Sequence, residues 1–178
     1  MRFNVETANR PIRHVYFYDR GLASTVGSLN DRETEIAVTG FESMSGINVM
    51  LGGDQTPYDT YMQIEGSGSR MSVTAFREAM EMSKTLKAHL NAFARTTLIQ
   101  MSSTVACNGG ATIHAALARW LLMIHDRVEG DTFTITHDLL SVMVAARRPG
   151  VSEAMKKLHA RGAISAKRGP SPSATEHN

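Results

Sequence analysis

The side chains best suited to chemistry lie between Arg147 and Arg168. Arg148, Ser152 and Lys156 recur at i, i+4 and i+8, which sets them on one face of an α-helix, with Pro149 and Glu153 beside them. What they offer is hydrogen bonding and ion pairing. An arginine fork pairs with two acceptors at once, a glutamate accepts from an amino group, and lysines attract anions. Covalent chemistry has no comparable set. Asp54 with Asp59, or Glu33 with Glu35, could be cast as paired carboxylates, but acids in turns and on solvent faces explain them better. The seven His residues show no metal-ligand spacing. Phosphate-binding glycine loops, nucleophile elbows and dinucleotide fingerprints are all missing from the sequence, so no enzyme and no cofactor is expected.

These polar residues need a scaffold, and the stretch from Thr136 to Ala163 reads as two short helices joined by a tight turn. In the first, Leu139, Leu140, Met143 and Val144 fall at helical spacing, with Thr136 placed to cap it. In the second, Val151, Met155 and Leu158 recur at i, i+4 and i+7 and must turn inward, which leaves Arg148, Ser152 and Lys156 outward. Pro149 fits a first helical turn, and Gly162 follows the helix end. A bracing helix followed by one that presents long polar side chains is what a helix-turn-helix requires for the DNA major groove. Residues 136–169 hold seven Lys or Arg and two acids, a net of +5; the whole chain is +2, so the remainder sums to −3. The positive charge is concentrated in one small module.

On this basis Arg148, Ser152 and Glu153 are expected to touch base edges, since Arg can bind guanine O6 and N7 and Glu can accept from cytosine N4. Arg147, Lys156, Lys167 and Arg168 are expected to hold phosphates, which sets affinity but not sequence.

Upstream, residues 3 to about 73 read as β-structure. His14–Tyr18, Glu35–Thr39, Asn48–Leu51 and Tyr61–Ile64 are short β-branched or aromatic runs separated by Gly, Asn, Asp and Ser clusters, a pattern of antiparallel barrels and sandwiches. From Val73 the period changes. Val73–Glu81 predicts a short helix, and Ser83 caps a longer one towards Asn108. Along it Leu86, Leu90, Phe93, Leu98, Met101 and Val105 form a seam near coiled-coil period, expected to be the interface of a homodimer. Gly109-Gly110 should break that helix as a hinge, since each glycine weakens a helix interior by roughly 1 kcal/mol relative to Ala. Ala111–Val128 predicts another amphipathic helix, and Thr132–Ile135 and Ala163–Lys167 short strands. The expected division is a sensor domain over 1–82, a dimerisation helix over 83–108, and a DNA-binding domain over 109–178 with a loose tail.

Length and composition agree with one or two globular domains: 178 residues, 42% apolar and 20% charged. The single Cys107 excludes an intramolecular disulfide. The N-terminus has no apolar signal-peptide core, and Trp120–Ile124 is far too short to span a membrane. A soluble, cytoplasmic protein with no membrane partner is expected.

With these elements placed, the chain resembles the Crp/Fnr family of bacterial transcription regulators. The resemblance is carried by LARWLLMIHDRV (117–128), GDTFTITHDLLSVM (130–143) and RRPGVSEAMKKLHARGAI (147–164), a subgroup that pairs an ARWLL helix with an RRPSV-type recognition helix. PIRHVYF (11–17) and LGGDQTP (51–57) look like the same subgroup's sensor domain. It implies an α+β fold: a cyclic-nucleotide-binding-like antiparallel β-barrel, a long dimerisation helix and a winged helix-turn-helix, working as a dimeric transcription regulator. Family members usually carry a helix and a first strand before the PIRHVYF region, so the barrel is expected to be shortened at its N-terminus.

Four departures qualify the resemblance. The stretch matching the family's phosphate-binding segment, SGINVMLGGDQTPYDT (45–60), follows Gly46 with Ile47 and contains neither Arg nor Lys, so cyclic AMP is not expected to bind tightly. One Cys cannot ligate an iron–sulfur cluster. Ala145 occupies the turn position that usually carries Gly, and Pro170 and Pro172 follow Gly169 where the wing's second strand would run. An effector of unidentified chemistry is the remaining partner of the barrel. The competing expectation is a regulator-derived module that binds a ligand or protein and has lost specific DNA binding.

Overall fold

The computed structural model describes residues 3–30 and 32–165. The described residues form six strands and six helices, in the order β1 (Asn4–Glu6), β2 (His14–Tyr18), β3 (Leu22–Leu29), β4 (Arg32–Thr39), α1 (Ile47–Met50), β5 (Asp59–Ile64), β6 (Gly68–Ser72), α2 (Val73–Met82), α3 (Lys84–Gly110), α4 (Ile113–His125), α5 (His137–Met143) and α6 (Arg148–Ala160). The strands form a four-stranded sheet in the order β1-β5-β3-β4 and a two-stranded sheet β2-β6, with every pairing antiparallel. This is the Crp/Fnr-like architecture: an antiparallel β domain, a long helix and a C-terminal helix-turn-helix.

Two apolar clusters hold it together. Around the two-stranded sheet, Val15 packs with Ile12, Met44, Val49, Phe76 and Leu90, so α1, α2 and the start of α3 close over β2. The larger cluster crosses from sheet to helices. Leu22, Val26, Val38 and Tyr61 of the four-stranded sheet share it with Leu117, Trp120, Ile124, Leu140, Met143 and Val151. Helices α4 and α5 therefore rest on the sheet, and α6 packs on those two helices.

Polar side chains set the helix boundaries. The hydroxyls of Ser72, Ser83, Thr112 and Thr136 accept from the backbone N–H three residues on, at the starts of α2, α3, α4 and α5. Helix α3 runs through Gly109 and ends at Gly110, two residues beyond the expected end and without a break at the glycine pair. Three expected strands are different. Asn48–Leu51 lies in the single turn of α1 and the residue after it, which starts at Gly46 with φ +82°. There a Cβ would come within 2.5 Å of Val15 Cγ1, so β2 forbids any side chain at that corner. Thr132–Ile135 forms no strand among the described residues, and Ala163–Ser165 is irregular, the rest of 163–167 lying outside the described residues. Strands β1, β3 and β6 carried too little β-branched or aromatic signal to be expected.

Candidate nucleic-acid interface

The helix pair folds as its periodicity requires. Val151 and Ala154 are fully buried, Met155 and Leu158 partly buried against the same cluster, and Arg148, Pro149, Glu153, Lys156 and Lys157 exposed. Helix α6 presses closely on α4: a Cβ on Gly150 would stand 2.7 Å from Ile113 Cδ1. Pro149 sits in the first turn, where a missing N–H is harmless, and Gly162 follows the end with φ +70°. The turn between α5 and α6 takes a left-handed residue at Ala145, with φ +51°. A Cβ in that conformation costs about 1 kcal/mol, so the Gly-to-Ala departure carries real strain.

The outward side chains are engaged with one another. Arg148 Nε lies 3.2 Å from Asp138 Oδ1 of α5, both exposed to water. Ser152 Oγ lies 3.0 Å from His137 Nδ1, which leaves its hydroxyl half-buried between the helices. Glu153 pairs with Lys157 at 2.7 Å, which lowers its carboxyl below the ordinary range. Lys156 stands exposed without an ion pair among the described residues, and Arg147 is exposed at the residue preceding α6. So Arg148, Glu153, Lys156 and Arg147 share an accessible surface, whereas Ser152 is set back. Lys167, Arg168 and the expected wing lie outside the described residues.

The seam of α3 divides in two. Leu90 is buried within the chain, and Leu86 and Phe93 pack beside it on the cluster around β2. Further along, Leu98 and Val105 are exposed, as are Ile99 and Met82, while Met101 is half-buried. An apolar face on the second half of a long helix is thus left uncovered in one chain.

The segment around α1 is packed and hydrogen-bonded within the chain. The Gly46 N–H donates to Glu6 Oε1 at 2.5 Å. Burial raises the Glu6 carboxyl, and this N–H partly offsets the rise. Val49 of α1 is packed under Val15, Phe76 and Leu90. Arg77 reaches the segment from α2, but its guanidinium donates to the Gly53 carbonyl at 2.7 Å.

One charged residue was misplaced by sequence reasoning. Glu35, expected on a solvent face, is 3% exposed and lies between the four-stranded sheet and α4. The cause is a bulge. Thr25 pairs with Ala37 but Val26 pairs with Glu35, so Ile36 is an extra residue in β4. Counting by two from Val38 would put Glu35 on the opposite face; the bulge returns it to the side of Val26 and Val38. There Trp120 Nε1 donates to Glu35 Oε1 at 2.6 Å, and Ser24 Oγ lies 2.7 Å from Oε2. Burial is the chief reason its pKa is pushed up to about 8, with Ser24, Trp120 and the Arg119 charge opposing the rise. Strict alternation hides such a residue.

Comparison with known proteins gives three findings. Residues 115–171 match the Crp-like helix-turn-helix domain. No curated protein sequence matches the chain. Among solved structures, FixK2 from Bradyrhizobium japonicum is similar over 95% of this chain and 88% of its own, with a TM-score of 0.81 at 16% identity. A CRP-family transcriptional regulator from Thermus thermophilus is similar over 94% and 86%, with a TM-score of 0.76 at 17% identity. The c-di-GMP-responsive global regulator CLP of Xanthomonas campestris is similar over 94% and 87%, with a TM-score of 0.70 at 16% identity.

Proposed function

We propose that this chain is a sequence-specific DNA-binding transcription regulator of Crp/Fnr type, acting as a homodimer and not answering to cyclic AMP. The observation that carries this reading is the exposed N-terminal half of α6, with Arg148, Glu153 and Lys156 turned outward by the buried Val151 and Ala154. A helix so oriented, behind a bracing α5, suits the major groove. The match of residues 115–171 to a Crp-like helix-turn-helix supports it.

In this reading Arg148 exchanges Asp138 for a guanine, Glu153 accepts from a cytosine, and Ser152 exchanges His137 for a base edge. Arg147 and Lys156 hold phosphates, joined by Lys167 and Arg168 beyond the described residues. The uncovered face of α3, Leu98 and Val105 with Met101 between them, is the dimer seam; Leu86, Leu90 and Phe93 serve it indirectly by fixing α3 on the barrel. Exclusion of cyclic AMP follows from Glu6 at the Gly46 N–H and from the apolar packing under Val49. Any effector is of another chemistry, and the chain is no enzyme.

Selection from random-sequence duplexes at near-physiological salt tests the reading. A two-fold symmetric motif with half-sites about one helical turn (roughly 34–36 Å) apart is the expected result. Retention without sequence enrichment, vanishing as salt rises, would leave only phosphate attraction and favour the module that has lost specific DNA binding.

A further inference from the structure

We infer that Glu35 is a positioning residue for the DNA-binding helices: as a neutral carboxylic acid it receives Trp120 and holds α4 against the sheet, and its ionisation loosens that hold. The consequence for DNA rests on the reading above; the latch itself does not.

Ser24 Oγ lies within hydrogen-bond distance of two acceptor oxygens, Glu35 Oε2 and Gln63 Oε1. A hydroxyl carries a single proton and satisfies one of them. The second contact is repulsive unless another partner brings a proton, which the carboxyl does when neutral and the Gln63 amide does only by turning its Nε2 inward. With Glu35 neutral the chain closes: Glu35 Oε2–H donates to Ser24 Oγ, Ser24 donates to Gln63 Oε1, and Trp120 Nε1–H donates to Glu35 Oε1. Strands β3, β4 and β5 are thereby joined to α4 by three hydrogen bonds in series.

The surroundings favour the same state. Glu35, Ser24 and Trp120 are 3%, 0% and 3% exposed. From α5 comes the Met143 thioether, 3.9 Å from Ser24 Oγ, and β5 contributes Tyr61 to the same apolar cluster. Helix α3 presents neutral groups here, Gln100 to the Val38 N–H and Thr104 to Arg119. Among the described residues, Arg119 of α4 is the cation acting on the carboxyl, and its guanidinium is aimed at Thr104 Oγ1, 3.3 and 3.4 Å away. A bare carboxylate would keep two neutral donors at most in a dry setting, which is a poor exchange for water.

Ionisation has a defined alternative. Once the carboxyl loses its proton, Ser24 must donate to Glu35, and Gln63 can only follow by turning its amide so that Nε2 donates to Ser24. Gln63 Nε2 has no partner in the present arrangement, so that turn breaks no bond. The junction thus has two hydrogen-bond patterns, and only the neutral one leaves the site uncharged. Opening α4 away from the sheet offers the ionised carboxyl water, so high pH favours release. Release frees the recognition helices of a dimer from a fixed separation, which weakens two-site binding.

Trp120 is the chain's one tryptophan, so its emission reads the junction directly. The test compares the full native chain with Glu35→Gln, which keeps a neutral acceptor for Trp120 and a donor for Ser24. Emission followed from pH 6 to 10 should show a step in the native chain and none in the variant. A flat native profile, or the same step in both, overturns the latch. Should Glu35→Gln fail to fold, carboxyl-13C NMR of the Glu-labelled native chain replaces it. A glutamate resonance titrating well above the ordinary range and displaced by Trp120→Phe is expected, and its absence overturns the inference. In the second arm, retention of duplexes from the random pool is measured at pH 6.5 and 9 at constant salt. The native chain should lose roughly tenfold relative to Glu35→Gln. Equal pH dependence in both proteins overturns the positioning role. If neither retains any duplex at either pH, the DNA reading fails while the fluorescence arm still decides the latch.

Discussion

On α6, Arg148, Glu153, Lys156 and Lys157 stand in water, paired loosely or not at all. At the sheet–α4 junction, Glu35 is almost wholly buried and lies at hydrogen-bond distance from Trp120 and Ser24. Solvated charges cost little to hold and contribute little to folding, typically under about 1 kcal/mol per pair. They are free to exchange partners, which suits a surface that must accept a nucleic acid. The buried carboxyl is the opposite case. It contributes through shape and proton state, and removing a partner leaves an orphaned polar group. Binding surface and domain docking therefore place different demands on charge within one chain.

The largest effect should come from the junction. Trp120→Ala removes a buried indole and its N–H from Glu35, and a loss of about 3–5 kcal/mol in urea unfolding followed by circular dichroism is expected. A cost near 1 kcal/mol would show that the junction matters no more than α6. Next is Glu35→Gln. With the native carboxyl raised from 4.5 to about 8, the folded state holds a proton that the unfolded state has released between those values. The stability it confers is present below pH 4.5 and declines up to about pH 8, at no more than about 1.4 kcal/mol per pH unit. Unfolding at pH 5, 7 and 9 should find the variant gaining steadily on the native chain; parallel curves would remove the contrast with α6.

On α6 the effects should be smaller and should leave stability alone. Arg148→Ala should cost roughly 1–3 kcal/mol of discrimination at one base position of a selected duplex. Lys156→Ala should weaken all sequences alike and make the salt slope shallower by about 0.9. If the two variants bind indistinguishably, the division into base and phosphate contacts is wrong. Smallest is Ala145→Gly, which should stabilise the chain by up to about 1 kcal/mol by relieving a left-handed Cβ.

The helices of the binding module were legible because their signals are local. Thr136, Pro149 and Gly162 mark ends, and Val151 and Leu158 mark a face, within a few residues of what they determine. Ala154 escaped notice only because alanine is an ambiguous core marker. The α3 seam was half legible: periodicity finds an apolar stripe but does not say what covers it, and Leu90 is covered by its own chain. The Asn48–Leu51 run was misread because its geometry is imposed by Val15 of a distant strand on Gly46. Glu35 was least legible, since its orientation depends on pairing between β3 and β4 that no single strand encodes.

The extra residue at Ile36 works like a shift of reading frame made in space instead of in code. Everything from Thr39 back to Ala37 is read in one phase, and everything from Glu35 back in the other. Closing the bulge with no residue removed would restore simple alternation and carry Glu35 to the far side of the sheet, leaving Trp120 facing a gap. Such a lesion alters no ligand-binding residue and no DNA-facing side chain. A descendant of this chain could therefore keep both ends of its machinery intact and still lose the connection between them.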